Sequence, residues 1–179
     1  MRFYHLVFII AFSTSLPAFA AERQHETAEQ LQAEPNHAWP TWAHEILMNA
    51  FSLTGIKYKY GGNSPETGFD CSGFVRYVFQ QAANLTLPHG ARALSQLGQH
   101  IPINQLQPGD LVFFDTLRSA FSHVGIYVGE GKFIHAPSSG GGIHVVNMEE
   151  EYWAKRFNGA RRIEPGQTQT SPETKPGPK

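Results

Sequence analysis

The sequence predicts an α+β domain, in which helices accompany an antiparallel β-hairpin. Apolar residues recur at helical spacing in two stretches, one from Thr41 to Leu53 that ends at Gly55 and one that begins at about Cys71. Two β-type runs, Ser122 to Val128 and Lys132 to Ala136, flank a short loop that contains glycine. With 179 residues, the chain is long enough for one domain with a sizeable core.

The N-terminal residues have the features of a secretory signal peptide. Arg2 supplies a positive charge, Phe3 to Ile10 is almost wholly apolar, and Ala18-Phe19-Ala20 is a small-residue cleavage site. The apolar run is broken by Pro17 and is shorter than the ~20 residues that span a bilayer, which argues against a membrane anchor. We therefore predict a signal peptide over residues 1–20 and no transmembrane segment after its removal.

Composition divides the remaining chain into three parts. Residues 21–38 are polar and predict a flexible leader, whereas residues 164–179 are rich in proline and predict a disordered tail. The folded domain is expected over residues 39–163. A net charge of −1 indicates neither a nucleic acid nor an acidic membrane surface as a partner.

Cys71 is the single cysteine of a chain that is predicted to be exported. Exported domains of this size usually pair their cysteines, and one cysteine cannot form a disulfide within the chain. An inert buried thiol, a thiol that joins two chains and a reactive thiol all remain open from the count alone. Asp70 is a good N-cap, so Cys71 falls in the first helical turn, where the helix dipole favours a thiolate.

The helix dipole by itself is too weak to ionise this thiol. A free cysteine has a pKa of about 8.5, and lowering it by about three units requires ~4 kcal/mol. A helix terminus supplies ~2 kcal/mol at most. A histidine that accepts and returns a proton is the obvious additional group, and the chain contains nine histidines.

Two histidines of the predicted hairpin are the candidates. A three-residue loop at Gly129-Glu130-Gly131 would pair Gly125 with His135. Side chains two apart share a face, so His123 would lie diagonally beside His135, with no side chain between them at Gly125. Each could equally be an ordinary sheet histidine with satisfied hydrogen bonds. Together with Cys71, they match a nucleophile, a base and an orienting group.

In their order along the chain, these motifs resemble the NlpC-type family of bacterial cell-wall peptidases. The resemblance extends from about Thr41 to Ile163. It rests on five blocks: Tyr58-Lys59-Tyr60-Gly61-Gly62, Phe69-Asp70-Cys71-Ser72-Gly73-Phe74-Val75, Leu106 to Phe114, Ser122 to Gly129, and Phe133-Ile134-His135-Ala136. Any one block has limited specificity, whereas the ordered set is specific.

The resemblance implies a papain-like core of the α+β class. In such a core the N-terminal helices, one of which begins at the nucleophile, pack on an antiparallel β-sheet. The implied activity is hydrolysis of peptidoglycan stem peptides next to meso-diaminopimelate, in the periplasm or cell envelope of a bacterium. The cross-link between D-alanine and diaminopimelate is the expected bond, and the bond between γ-D-glutamate and diaminopimelate is the alternative.

Site residues follow from the same resemblance. Cys71 is implied as the nucleophile, His123 as the general base, and His135 as the polar group that orients His123. This chemistry requires no metal and no organic cofactor.

The resemblance implies roles for three further residues. Tyr58 matches a tyrosine that helps to line the oxyanion site, although a buried strand tyrosine would look the same in the sequence. Asp70 is implied as the cap that positions the nucleophile. Ser72 is implied as a donor of its backbone N–H toward the substrate carbonyl.

The chain departs from the family in one loop. Leu87-Pro88-His89-Gly90 stands where family members often have Leu-Pro-Arg-Ser or Leu-Pro-Arg-Thr. Because that arginine is expected near the substrate, its replacement leaves the peptide preference open.

Two other function classes remain open. One cysteine and two histidines could hold a zinc ion, but they lack the short in-helix spacing of the familiar zinc motifs. A wall-binding module could keep the fold without turnover. For the enzyme we expect peptidoglycan stem peptides as the partner, no nucleic acid, a monomeric state and a regulatory protein as a further partner.

Overall fold

Four α-helices, one 3-10 helix and eight β-strands form within residues 40–116 and 119–164, which are the residues that the computed structural model describes. The predicted signal peptide and leader, and all but the first residue of the predicted tail, lie outside this part of the chain. No helix in the described part is long and apolar enough to cross a membrane.

The helices and strands have the following bounds. The helices are α1 (Thr41–Ser52), α2 (Cys71–Ala83), α3 (Ala91–Leu94) and α4 (Glu151–Ala154), with the 3-10 helix at Ile103–Gln105. The strands are β1 (Asn63–Ser64), β2 (Gly68–Phe69), β3 (Gln99–Ile101), β4 (Leu111–Phe114), β5 (His123–Gly129), β6 (Lys132–His135), β7 (His144–Asn147) and β8 (Phe157–Arg162). The long predicted elements are confirmed, whereas α3, β1, β2 and β3 are too short to show a periodic pattern.

Helix α2 forms because its apolar residues repeat on one face and both of its ends are capped. Phe74, Val75, Val78 and Phe79 are fully buried on that face. The Asp70 side chain accepts a hydrogen bond from the Gly73 N–H at 2.6 Å, as an N-cap does. At the other end Asn84 adopts the left-handed conformation with φ 50°, and its N–H reaches back to Gln80 and Phe79.

A six-stranded antiparallel sheet, in the order β3-β8-β4-β5-β6-β7, supports the helices. Side chains alternate across it, so β5 sends Val124 and Ile126 to the face that packs on α1 and α2. The opposite face includes Phe114 and Phe133 and is covered by Trp153. This packing of helices against an antiparallel sheet, with α1 and α2 on one face and α4 on the other, is the predicted α+β class.

The β5–β6 hairpin has the predicted register but a different turn. Ile126 pairs with Ile134 and Tyr127 with Phe133, as the three-residue loop predicts, yet Gly129 pairs with Lys132. The loop is therefore Glu130-Gly131, and both residues have positive φ, as in a type I′ turn. A bulge next to the turn adds one residue to β5 and cancels the shift that the shorter loop would cause.

Two glycines allow the loop before β1 to lie directly on the first turn of α2. A Cβ built at Gly73 would overlap the backbone carbonyl oxygen of Gly62, and a Cβ at Gly62 would overlap that of Gly68. The Asp70 N–H donates to the same Gly62 oxygen at 3.0 Å. Because backbone atoms cannot turn aside as a side chain can, no larger residue fits at either position.

Gly73→Ala tests this contact, because in an ordinary helix the change stabilises by about 1 kcal/mol. Here we expect the free energy of unfolding to fall by roughly 1–3 kcal/mol, since the methyl group forces the loop off the helix. Urea denaturation measures the change. The exposed Gln81 of the same helix is the control: Gln81→Ala should be close to neutral. A G73A protein as stable as the unaltered chain would contradict the close packing.

Candidate active site

Cys71 lies where the first turn of α2 meets the beginning of β5. Its side chain is packed against the core between the helices and the sheet. The backbone N–H groups of Val124, Ser72 and Cys71 itself face the sulfur. The thiol is therefore surrounded by backbone donors. One of these donors belongs to Val124, the residue that follows His123 in β5.

Burial decides the charge of this thiol. Burial, followed by the neighbouring Asp70 carboxylate, raises the pKa of Cys71 above its ordinary value to about 11, although the three backbone N–H groups act in the opposite direction. This direction is opposite to the one predicted from the helix terminus. The physical reason is magnitude, because burial can shift a pKa by up to about 3–5 units, whereas a helix terminus supplies ~2 kcal/mol at most.

The Asp70 carboxylate joins the first turn of α2, which contains Cys71, to the loop before β1. One carboxylate oxygen accepts the Gly73 N–H at 2.6 Å and the Ser72 hydroxyl at 3.0 Å. The other oxygen accepts the Gly61 N–H at 3.1 Å. Asp70 is thus the helix cap that the sequence predicts, and Ser72 contacts it through its side chain while its N–H faces the Cys71 sulfur.

His123 and His135 are brought together as predicted. His123 Nε2 and His135 Nδ1 are 2.8 Å apart, and the two rings are nearly perpendicular. No side chain separates them at Gly125. A Cβ there would lie 2.5 Å from the ring of Phe133, which occupies the space above this glycine.

The histidine pair is enclosed by aromatic rings. Both side chains are only 2% exposed, and Trp153 lies against both, stacked on His123 at 5.7 Å and edge-on to His135 at 5.1 Å. Burial lowers the pKa of His123 from 6.5 to about 4. Burial, with the nearby His123 and His144, lowers the pKa of His135 to about 2. Both rings are therefore uncharged at neutral pH.

Within residues 40–116 and 119–164, no hydrogen bond joins the Cys71 sulfur to the His123 ring; the sulfur instead faces the N–H of the next residue, Val124. The His123–His135 bond uses Nε2 of His123, so Nδ1 is the nitrogen that remains for the thiol. Catalytic hydrogen bonds are often long in the absence of substrate and shorten when it binds.

Tyr58 lies close enough to Cys71 for the two side chains to interact electrostatically. Burial, followed by the charges of Cys71 and Asp70, raises the pKa of its hydroxyl. The ring packs against the main core, and its N–H donates to Gly141. Among the described residues, no side chain or backbone group forms a hydrogen bond with its hydroxyl, so the hydroxyl is available to a ligand. The structure therefore places Tyr58 near Cys71, and its role at the oxyanion site stays a prediction.

Two residues of the site are not evident from the sequence. Trp153 comes from α4, and only the fold shows that it covers the histidine pair. His144 is the cross-strand partner of His135, with its ring 5.0 Å away. His135 Nε2 itself is buried without a hydrogen bond in the described part of the chain.

Residues 55–162 match the NlpC/P60 family. The chain is 43% identical over 125 residues to murein DD-endopeptidase MepH of Escherichia coli (strain K12), a match that covers 68% of this chain and 46% of that protein. It is 38% identical over 120 residues to the gamma-DL-glutamyl hydrolase of Bacillus subtilis (strain 168), covering 66% of this chain and 29% of that protein. The chain thus spans less than half of the length of these two relatives.

The fold agrees with solved structures. The NlpC/p60 domain of the peptidoglycan hydrolase SagA matches with a TM-score of 0.60 and 31% identity, covering 68% of this chain and 98% of that domain. The helices of this chain pack on its antiparallel sheet in the same papain-like arrangement. The sequence match and the shared fold show that this chain belongs to the NlpC/P60 family.

Proposed function

We propose that the protein is a peptidoglycan endopeptidase that uses Cys71 as its nucleophile. The observation that carries this proposal is the buried His123–His135 pair on the strand whose beginning faces the Cys71 sulfur. Membership of the NlpC/P60 family supports it, as do the names of relatives such as murein DD-endopeptidase MepH. The digestion of peptidoglycan described below is its test.

The acylation step begins from two uncharged groups. As the Cys71 sulfur attacks the carbonyl carbon of the stem peptide, its proton moves to Nδ1 of His123. This requires the His123 tautomer whose Nε2–H donates to Nδ1 of His135, so His135 orients the base. The partly buried thiol of Cys71 has a raised pKa and is mostly protonated at rest. Attack and proton transfer therefore occur together.

The negative charge on the carbonyl oxygen needs preorganised donors. The Cys71 and Ser72 N–H groups lie at the sulfur, and the free hydroxyl of Tyr58 lies nearby. These groups stabilise the tetrahedral oxyanion. His123 then gives its proton to the leaving amine, a thioester forms on Cys71, and a water molecule activated by the same histidine hydrolyses it.

The proposed bond is the cross-link between D-alanine and diaminopimelate. A relative named as a murein DD-endopeptidase, with 43% identity, favours this bond. The second candidate is the bond between γ-D-glutamate and diaminopimelate, which the 38% identical gamma-DL-glutamyl hydrolase favours. In either case we propose that the protein acts in the bacterial envelope. We also expect it to be a monomer and to have a regulatory protein partner.

Digestion of purified peptidoglycan, followed by mass spectrometry of the fragments, distinguishes the two bonds. We expect dimeric muropeptides to disappear and intact tetrapeptide monomers to accumulate, because cleavage of the cross-link leaves each stem whole. Fragments that carry dipeptides would instead indicate the γ-D-glutamyl bond. A product profile identical to that of undigested peptidoglycan would contradict the proposed enzyme.

Cys71→Ala should lower the cleavage rate by a factor on the order of 10³ or more, because it removes the nucleophile. A thiol alkylator should inactivate the unaltered protein, whereas a chelator should have no effect. Loss of activity with the chelator and not with the alkylator would indicate the zinc hydrolase. If the protein is a wall-binding module without turnover, neither the unaltered chain nor C71A will release a product, and both will bind peptidoglycan equally.

The two buried histidines should make folding stability depend on pH. Histidines titrate near pH 6.5 in the unfolded chain, whereas burial lowers the pKa of His123 to about 4 and that of His135 to about 2. The unfolded state therefore binds more protons in mild acid. Stability is retained above pH 6.5 and falls by up to about 1.4 kcal/mol per pH unit for each histidine as the pH drops toward 4.

Thermal unfolding at a series of pH values measures this effect. His135→Asn removes one of the two groups, so its Tm should fall less than that of the unaltered chain between pH 7 and pH 5. His100→Asn, which changes an exposed histidine, should leave the fall unchanged. Parallel curves for H135N and the unaltered chain would show that His135 is not held neutral by burial.

A further inference from the structure

We infer that His144 is a further positioning residue of the histidine pair, and that its Nε2 accepts a hydrogen bond from the Nε2–H of His135. The inference rests on the proposed function and adds a third ring to the two that serve Cys71. His144 is exposed on β7, the edge strand next to β6. It lies outside the five sequence blocks on which the family resemblance rests.

Three histidines lie side by side on neighbouring strands. His123 is on β5, His135 on β6 and His144 on β7, and the register pairs His135 directly with His144. Residues paired in this way point to the same face of a sheet. The ring centroids of His135 and His144 are 5.0 Å apart. The rings of His123 and His135 have the same separation and share a 2.8 Å hydrogen bond, so the spacing of the second pair suits a bond of the same kind.

The unsatisfied nitrogen of His135 is a hydrogen-bond donor. In the proposed reaction Nδ1 of His135 accepts the Nε2–H of His123, so the neutral His135 ring carries its own proton on Nε2. That nitrogen is buried and has no partner among the described residues. A buried donor without an acceptor is costly, and native proteins rarely leave one. An acceptor is therefore expected beside it.

Of the rings that contact His135 in the described part of the chain, His144 alone can supply this acceptor. Phe133 has no polar atom, and the indole nitrogen of Trp153 only donates. His123 already uses its Nε2 to reach Nδ1 of His135. The two nitrogens lie on opposite sides of an imidazole ring, so an Nδ1 directed at β5 leaves Nε2 on the side of β7.

A backbone carbonyl sets the tautomer of His144. Nδ1 of His144 is 2.8 Å from the carbonyl oxygen of Gly142, which can only accept, so Nδ1 carries a proton. In the neutral ring Nε2 is then unprotonated and is an acceptor. The donor of His135 and the acceptor of His144 therefore match. Because the His144 side chain is exposed, its ring can turn toward His135 without displacing the core.

This bond fixes the direction of every hydrogen bond in the row. With the Nε2–H of His135 engaged, Nδ1 of His135 stays unprotonated and accepts from His123, and Nδ1 of His123 remains the site for the Cys71 proton. Hydrogen bonds in a chain also polarise one another, which makes His135 a better acceptor for the imidazolium that forms on His123. Since His144 acts through His135, its loss should lower kcat and leave KM nearly unchanged.

The kinetics of cleavage of a purified dimeric muropeptide, which contains both candidate bonds, test this role. His144→Phe keeps an aromatic ring but removes the acceptor, and should lower kcat by roughly three- to tenfold. His144→Gln restores an acceptor at the end of the side chain and should recover most of the rate. His100→Phe is the matched control, because it makes the same change at an exposed histidine of the opposite edge strand, β3, and should leave kcat unchanged.

NMR of the full chain labelled with nitrogen-15 histidine tests the bond itself, without any substrate. The measurement is made in mild alkali, above the ordinary titration range of histidine. We expect a scalar coupling between Nε2 of His135 and Nε2 of His144, which arises only across a hydrogen bond. His144→Phe should abolish it, whereas His100→Phe should leave it in place.

Absence of the coupling in the unaltered protein would overturn the inference and leave the proposed function intact, as would an equal kcat for H144F and H100F. An equal loss of kcat in H144F and H144Q would also overturn it, because packing rather than an acceptor would then be responsible. If H144F fails to fold, the coupling in the unaltered protein decides. An unaltered enzyme that leaves the dimer uncut would contradict the proposed function, and the positioning role would fall with it.

Discussion

Burial of an uncharged imidazole pair is the constraint on which the rest of the site depends. His123 and His135 share one hydrogen bond inside a shell of aromatic rings that includes Trp153 and Phe133. In such a shell a charge is costly, so the pair is neutral at rest. In the proposed reaction it becomes charged only as it takes a proton from Cys71. On that proposal the resting thiol keeps its proton and loses it only as the sulfur attacks the substrate.

Asp70 has two opposing effects on Cys71. Its carboxylate caps α2 and holds the loop at Gly61, which places Cys71 at the beginning of the helix. The same charge raises the pKa of the thiol. Three backbone N–H groups act in the opposite direction, and burial outweighs them. Position, rather than resting ionisation, is what this end of the helix supplies to the proposed reaction.

Much of the site could be predicted because it depends on local patterns. The N-cap at Asp70 and the apolar face of α2 follow from residues that are neighbours in the sequence. The contact between His123 and His135 follows from strand alternation once a hairpin is assumed. The turn itself was predicted wrongly, because its loop has two residues instead of three. The bulge in β5 adds the missing residue, so the predicted register is still correct.

By itself, the sequence determined the order of the long elements, the placement of Cys71 in a first helical turn and the pairing of the two histidines. The tertiary structure alone decided the direction of the Cys71 and histidine pKa shifts, because burial depends on residues from every layer of the fold. It also decided that Trp153 covers the histidine pair and that Arg76 meets His89, since these contacts join segments whose spacing in the chain carries no periodic signal.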